Sequence, residues 1–277
     1  MEKTIINYVS GGLGNILLPL CSCSVVSKKT DRKLIVCWEE TPACMANYLD
    51  LFDGEIQIIS KKDLLSFDNV KIYGDLYDIN FDSVLYEENS FQQLTKKYTT
   101  LPIQNFHLDD SEKNVIAYYN NIIPTLDKNE VIEEFKKLKW NKNIISKVEK
   151  YKKEFNIDKN VFGINARATD FNNGIEIYIN YVNEILKSNS NARFFVVSDS
   201  SDWEERICNI FPDNVFRRLK SSYVTKKNEN IVEWSNNVFR SKESVIESVI
   251  DAHLLSKTNF LIYNNHSSFA QMIKYLM

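Results

Sequence analysis

Three short segments of this 277-residue chain carry residue types that bind phosphates or sugars, and the first is the Gly-Gly-Leu-Gly-Asn loop Gly11–Asn15. Glycines let a backbone approach a ligand closely, and the free N–H groups at a helix start favour negative charge. Gly12, Gly14 and Asn15 are therefore candidate contacts, although a tight turn that needs small residues is an equally good explanation. Both common nucleotide fingerprints fail, because Leu17 stands where the dinucleotide motif needs glycine and no Gly-Lys-Ser/Thr ending follows.

The second segment is Gly163–Asp170, which begins in an apolar stretch that predicts a buried strand. Its Arg167 has the side chain that grips a pyrophosphate through two parallel hydrogen bonds. The alternative is a surface ion pair between Arg167 and Asp170, worth only about 0.2 to 1 kcal/mol. Spacing alone slightly favours the ion pair.

The third segment, Asn264–Ser268, lies between the apolar run Phe260–Tyr263 and a helix that opens at Phe269. Serines at a helix start cap it, and the same free N–H groups can hold a phosphate. Capping is the more common role. The two roles are compatible because both use the same end of the helix.

The other reactive residue types indicate no second centre. The five cysteines show no CxxC spacing and no clustered histidine, so we expect buried thiols rather than a zinc site or disulfides. His107 and His253 have no nucleophile or second histidine beside them and are expected to be structural. The basic cluster Arg217–Lys220 is expected to be a solvated face, with added charge near a pyrophosphate as the alternative.

Composition restricts the class of protein. Hydrophobic residues at 44% and charged residues at 26% are typical of a folded protein rather than a disordered one. A formal net charge of −3 leaves no global positive field, so no nucleic-acid partner is expected. The longest apolar run, Ile16–Cys23, is too short to span a bilayer, and the first residues lack secretory-signal features. We therefore expect a cytoplasmic protein.

Alternating strand and helix patterns position the three segments. The predicted strand Thr4–Val9, helix Ile16–Ser27 and strand Leu34–Trp38 form a βαβ unit. Parallel sheets gather the loops after their strands on one edge, where ligands bind in open α/β folds. Further strands are predicted at Ile56–Ile59 and Val70–Tyr73.

A helical, lysine-rich stretch over Glu130–Phe155 predicts a bridge to a second alternating set. That set has predicted strands at Val161–Asn165, Arg193–Val197 and Asn259–Tyr263, and predicted helices at Ile175–Leu186, Trp203–Ile210, Glu243–Leu255 and Phe269–Tyr275. We therefore expect an α/β protein with two Rossmann-like domains, 1–155 and 156–277, that face each other across a cleft.

With these residues in view, the chain resembles the GDP-fucose-dependent fucosyltransferases, the group of bacterial and plant α-1,2/α-1,6 enzymes and protein O-fucosyltransferases. Four segments match this family in order: Gly11–Asn15, Asn165–Asp170, Phe195–Ser200, and Asp251 followed sixteen residues later by Ser267–Phe269. The matches cover the first forty residues and most of 161–277. The chain departs from the pattern at Asn165, where the family has histidine, and at Ile16, where glutamine is usual.

The resemblance implies a GT-B fold and an inverting, metal-independent transfer of fucose from GDP-fucose to a glycan hydroxyl, with no cofactor besides this donor. It places Arg167 on the β-phosphate and Asp251 on the guanine edge. The remaining donor-binding residues are expected to be Gly12, Gly14, Asn15, Asn165, Asp199, Ser267, Ser268 and Phe269.

The general base is left open between Asp170 and the glutamates Glu39 and Glu40, which follow the second predicted strand. Two alternatives to fucosyl transfer also stay open. One is a transferase that uses another nucleotide sugar. The other is a non-catalytic module that binds a sugar or nucleotide, which Asn165 in place of the family's histidine would fit.

Overall fold

The computed structural model describes residues 2–8, 11–74, 90–168, 174–226, 238–265 and 267–277. The chain forms two compact units: Met1–Thr41 with Gly54–Lys139, and Pro42–Asp53 with Trp140–Met277. These bounds differ from the predicted division at residue 155. Trp140 belongs to the second unit because its ring packs on Phe52, with 4.7 Å between centroids, and residues 140 and 52 form a β-bridge.

The first unit is built on a six-stranded sheet in the order β3-β2-β1-β6-β4-β5, in which every pair is parallel. Its strands are β1 Thr4–Tyr8, β2 Lys33–Cys37, β3 Gln57–Ile59, β4 Val70–Gly74, β5 Thr99–Pro102 and β6 Asn114–Tyr118. Its helices are α1 Leu13–Thr30, α3 Lys61–Leu64, α4 Ser90–Lys97 and α5 Lys128–Lys136. Every residue of β1 and β6 is buried, as expected for parallel strands covered on both faces.

Helix α1 begins after Gly12 and ends at Thr30, and its C-cap, Asp31, has left-handed backbone angles. Lys28 and Lys29 lie in its last turn, where positive charge favours the helix dipole. In the described part of the chain, no helix combines the length and apolar composition needed to cross a membrane.

The second unit is built on a four-stranded parallel sheet in the order β12-β7-β8-β9. The strands are β7 Val161–Ala166, β8 Arg193–Ser198, β9 Val215–Phe216 and β12 Leu261–Tyr263, and β10 Thr225–Lys226 pairs separately with β11 Val238–Phe239. The helices are α2 Tyr48–Leu51, α6 Lys142–Glu154, α7 Glu176–Ser188, α8 Ser201–Ile210, α9 Lys242–Leu255 and α10 Ser268–Leu276. The predicted α/β class, with a parallel sheet in each half, is confirmed.

Glycine is required in the middle of β7 because neighbouring elements approach its backbone closely. A Cβ at Gly163 would lie 2.7 Å from Thr258 Oγ1 and 2.9 Å from Leu255 Cδ2. These distances are shorter than normal van der Waals contact, so a larger residue would require the Thr258 and Leu255 side chains, or the strand itself, to shift.

The helical stretch predicted over Glu130–Phe155 corresponds to two helices, α5 and α6, which are separated by residues 137–141. Asn141 ends the interruption by capping α6, since its side chain accepts the Asn143 N–H at 2.9 Å. Asparagine prefers this N-cap position to a helix interior.

The strand order of the second sheet reverses at β7. The chain passes from β7 to β8 and β9 on one side, and β12 returns to pair with β7 on the other side. The carboxyl ends of β7 and β12 therefore form a topological switch point, the position at which open α/β sheets bind ligands.

His253 makes the stability of the fold depend on pH. Its side chain in α9 is 7% exposed and packs edge-on against the Trp140 ring, and its Nε2 has no hydrogen-bond partner among the described residues. Burial, together with the charge of Lys257, lowers the pKa of His253 from 6.5 to about 4. The unfolded chain binds more protons between these values. This contribution to stability is therefore complete above about pH 6.5 and is lost as the pH falls toward 4.

The free energy of unfolding is expected to fall between about pH 7 and about pH 4.5. We expect this fall to be about 2 kcal/mol smaller in His253→Leu. Urea denaturation at the two pH values measures this loss. His107→Leu is the matched control because His107 is exposed. An unchanged pH dependence in the His253 variant would rule out this origin.

Candidate functional site

Two of the candidate segments meet at the switch point of the second sheet. Arg167 directly follows β7, and its Nη1 donates a hydrogen bond to Ser267 Oγ at 3.3 Å. Ser267 follows β12 and is the N-cap of α10, where its Oγ also accepts the Ala270 N–H at 3.2 Å. The guanidinium of Arg167 therefore lies at the start of α10.

This arrangement is suited to binding an anion. The guanidinium carries a permanent positive charge, and the first N–H groups of α10 have no carbonyl partners within the helix. Ser268 and Phe269, which begin α10, are partly exposed, whereas the Ser267 side chain is buried. A diphosphate at this position would meet both the guanidinium and the positive end of the helix dipole.

The backbone of the Arg167 loop is held by two side chains. The Arg167 N–H donates to the Tyr178 hydroxyl at 3.3 Å, and the Ala168 N–H donates to Asp199 Oδ1 at 2.8 Å. Asp199 directly follows β8, so it also lies at the carboxyl edge of the sheet. Its carboxylate holds the loop that carries the arginine.

Tyr178 is a site residue that sequence reasoning missed. It lies on α7, is 2% exposed and packs edge-on against Trp203. Burial raises the pKa of the Tyr178 hydroxyl, which keeps it protonated. Its apolar neighbours at helical spacing, Ile175, Ile179 and Val182, indicate only a core position.

We expect Tyr178→Phe to lower turnover of the donor about 3- to 10-fold, the effect of one lost hydrogen bond of about 1 kcal/mol to the Arg167 loop. The ring and its packing remain, so the fold is retained. Steady-state kinetics measures the change. Tyr181→Phe is the matched control, because Tyr181 lies on the same helix and is 53% exposed. Equal rates for both variants would contradict this role.

Two further predicted donor residues are buried in the second unit. Asn165 is 6% exposed and pairs in register with Tyr263 of β12 and Val197 of β8. Asp251, on α9, is 1% exposed. Binding of a donor by these two residues, as by the rest of the predicted set, stays a prediction.

The carboxylate of Asp251 is already paired with two cations. Its Oδ1 accepts hydrogen bonds from Arg218 Nη2 at 2.7 Å and Nε at 3.2 Å. Its Oδ2 lies 3.1 Å from Lys220 Nζ.

The expectation that Arg217–Lys220 forms a solvated face is wrong for two of its residues. The side chains of Arg218 and Lys220 are only 2% and 5% exposed. Arg218 also pairs with Glu247, and Lys220 lies 2.5 Å from Glu204 Oε1. The four-residue pattern alone predicts a surface cluster. The three carboxylates that pair with the buried cations lie elsewhere in the chain, on α8 and α9.

Charge pairing outweighs burial at Arg218, whereas burial outweighs charge pairing at Glu204. Burial disfavours the charged form of Arg218, but Asp251 and Glu247 raise its pKa above the usual value. Burial raises the pKa of Glu204, against the opposing charge of Lys220. Three carboxylates share two cations, so removing either cation leaves a single cation for three buried carboxylates.

The candidate residues of the first unit lie at the carboxyl edge of its own sheet. Gly11 has a φ of 83°, in the left-handed region that favours glycine. Gly12 is the N-cap of α1, Gly14 is buried in its first turn, and Asn15 is partly exposed. This loop follows β1, which β2 and β6 flank.

Glu39, a candidate general base, follows β2 in the same unit. Its Oε1 accepts the Lys61 N–H at 2.7 Å, and its Oε2 lies 3.6 Å from Lys61 Nζ. The carboxylate is therefore held at the start of α3. Glu40, the second candidate base, is exposed, and the third, Asp170, lies outside the described residues.

The cysteines show the burial expected of them. Cys21, Cys23, Cys37 and Cys44 are buried, and Cys208 is partly buried. Burial raises the pKa of Cys208 to about 11, so it is a poor nucleophile near neutral pH. Within the described ranges, no group of three His, Cys, Asp or Glu side chains is arranged to hold a metal ion.

Comparison with known proteins identifies the fold. No protein-family model matches the chain. No curated protein matches it. Solved structures do, among them the NodZ alpha-1,6-fucosyltransferase soaked with GDP-fucose, at 17% identity and a TM-score of 0.65, with 100% of this chain and 93% of that chain covered.

Two further structures agree over the same length. A NodZ structure from Bradyrhizobium has 16% identity and a TM-score of 0.66, covering 100% of this chain and 94% of that chain. POFUT1 in complex with GDP-fucose has 12% identity and a TM-score of 0.59, with the same coverage of 100% and 94%. Across its whole length, the chain thus has the fold of the fucosyltransferases NodZ and POFUT1, the fold that its sequence motifs implied.

Proposed function

We propose that this chain is a fucosyltransferase that takes fucose from GDP-fucose and transfers it to a glycan hydroxyl, with inversion and without a metal ion. The observation that carries the proposal is the meeting of Arg167 with Ser267 at the switch point of the second sheet. The likeness to structures holding GDP-fucose supports the same donor.

The main chemical task is to stabilise the charge that develops on the departing diphosphate. Arg167 supplies a fixed cation with two parallel N–H donors, and the start of α10 supplies backbone N–H groups that have no carbonyl partner within the helix. Donors that are already in position need no reorganisation during the reaction. In other enzymes a divalent cation stabilises this developing charge, and here Arg167 and the start of α10 would take its place.

The reaction is a single displacement. The acceptor oxygen attacks the anomeric carbon of fucose, the bond from that carbon to the phosphate oxygen breaks, and GDP departs with the electron pair. The transition state resembles an oxocarbenium ion. A carboxylate takes the acceptor proton. Glu39, Glu40 and Asp170 remain the candidates, and Glu39 is oriented by its contacts with Lys61.

Incubation with GDP-fucose and a panel of glycans tests the proposal. We expect GDP release, a glycosidic product with inverted configuration, and turnover that persists in excess EDTA. GDP release that a chelator abolishes would contradict metal independence. No release and no transfer with any glycan would favour a non-catalytic binding module.

One observation favours a second candidate, a transferase that uses another nucleotide sugar. The predicted guanine partner, Asp251, already accepts two hydrogen bonds from Arg218 and lies beside Lys220. Guanine would have to share this carboxylate with both cations. A base that does not need a carboxylate acceptor would avoid the competition.

A thermal-shift comparison of GDP, UDP and ADP separates the two candidates. A bound ligand stabilises the fold according to its own affinity, by about 2.7 kcal/mol at a hundredfold excess over Kd. We expect the largest shift with GDP. A larger shift with UDP or ADP would exclude guanine as the base of the donor.

A further inference from the structure

We propose that Glu204 and Lys220 are positioning residues that hold the end of β8 and, through it, the loop that carries Arg167. Their effect on the reaction rests on the proposed function of Arg167. The contacts by which Glu204 and Lys220 hold the end of β8 lie within the second unit. Neither residue touches the candidate anion site directly, so we assign them no catalytic contact.

Both backbone groups of the last residue of β8 are bound by this pair. Glu204 Oε1 accepts the Ser198 N–H at 2.8 Å, and Lys220 Nζ donates to the Ser198 carbonyl oxygen at 2.5 Å. The neighbouring strand β9 pairs with β8 only at Phe194 and Phe195. In the described structure, β9 does not extend alongside Ser198. The two side chains therefore bind the backbone groups that a longer β9 would bind.

The next residue, Asp199, connects the end of β8 to the candidate site. Asp199 follows Ser198 and accepts the Ala168 N–H at 2.8 Å, and Ala168 follows Arg167. The Ser198 hydroxyl also accepts the Ser200 N–H at 3.1 Å, which shapes the turn. Moving the Ser198 backbone would therefore move the acceptor that fixes the Arg167 loop.

Burial indicates that the pair does more than stabilise the fold. The side chains of Glu204 and Lys220 are 1% and 5% exposed, and removing a charge pair from water costs free energy that apolar residues of similar size do not cost. Apolar residues could fill the same space. They could not bind the N–H and the carbonyl of Ser198.

The competing explanation is that Lys220 only balances buried negative charge. Lys220→Met alone cannot decide this, because it leaves Glu204 and Asp251 without their shared cation. The double variant Glu204→Leu/Lys220→Met removes one carboxylate and one cation, so the net charge of the cluster is unchanged. Replacing a buried ion pair by apolar residues is often neutral for stability.

The test measures thermal stability, amide hydrogen exchange and kinetics of the double variant beside the parent protein. We expect a Tm within a few degrees of the parent, and exchange at the Ser198 and Ala168 amides about tenfold faster or more, because both amides lose a fixed environment. We also expect kcat to fall about tenfold, with a smaller change in KM for GDP-fucose. A folded double variant with parental exchange and parental kcat would overturn the proposal.

A conservative variant provides a second test should the apolar pair fail to fold. In Glu204→Gln/Lys220→Met, the amide oxygen of glutamine can still accept the Ser198 N–H, while the Ser198 carbonyl loses its donor. We expect this variant to keep slow exchange at Ser198 and to lose less kcat than the apolar pair. Unchanged kcat here would also count against Lys220 as a positioning residue.

The exchange measurement separates this inference from the proposed function. Turnover of GDP-fucose by the parent protein tests the function alone. Exchange at Ser198 and Ala168 needs no ligand. Parental exchange in the double variant therefore refutes the hold whether or not the chain proves to be a fucosyltransferase.

Discussion

Arg167→Ala is expected to lower the turnover of GDP-fucose by about 10²- to 10³-fold, because it removes a fixed donor from the place where the leaving diphosphate becomes more negative. The loss corresponds to about 2.7 to 4 kcal/mol of transition-state stabilisation. The hydrogen bond to Ser267 disappears as well, but α10 keeps its cap because Ser267 still accepts the Ala270 N–H.

The kinetic comparison needs two companion variants. Arg167→Lys keeps the positive charge and loses the paired N–H geometry, so we expect an intermediate rate. Arg206→Ala is the matched control, since Arg206 is 58% exposed and pairs with the exposed Glu176. An Arg167→Ala enzyme as fast as the Arg206→Ala enzyme would remove the arginine from the mechanism.

The largest expected effect on stability comes from Arg218→Met, which should lower the free energy of unfolding by about 3 to 5 kcal/mol. The variant leaves Asp251 and Glu247 buried without the arginine that binds both of them. Lys220 also lies near Asp251, but it already pairs with Glu204. One buried cation would then face three carboxylates.

The neighbouring arginine supplies the control for this measurement. Arg217 binds the Ser201 carbonyl oxygen and Glu205, whose side chain is 59% exposed. We expect Arg217→Met to cost at most about 1 kcal/mol in urea denaturation. Similar losses from the two adjacent substitutions would contradict the importance of the buried cluster.

The sequence predicts much of the fold because most elements carry a local pattern. The runs that predict Val161–Asn165 and Arg193–Val197 correspond to β7 and β8. No strand was predicted at β6, which lies beside β1 at the centre of the first sheet. Its five residues are all buried, and so short an apolar run does not by itself distinguish a central strand from other buried segments.

Individual residues of the site were predictable from the sequence, but the contacts between them were not. Strand ends placed Arg167 and Ser267 at the ligand edge, and the sheet topology brings together two residues separated by a hundred positions. The burial of Arg218 and Lys220 depends on carboxylates supplied by α8 and α9. No local sequence pattern predicts this pairing of buried charges. Tyr178 was hidden for a related reason, since only its hydroxyl distinguishes it from the apolar core of α7.

A crystal structure of the protein with bound GDP tests the central claim most directly. We expect the β-phosphate within hydrogen-bonding distance of the Arg167 guanidinium and of the first N–H groups of α10, at the carboxyl ends of β7 and β12. A nucleotide bound at another edge of the second sheet, with its phosphates remote from Arg167 and Ser267, would contradict the account.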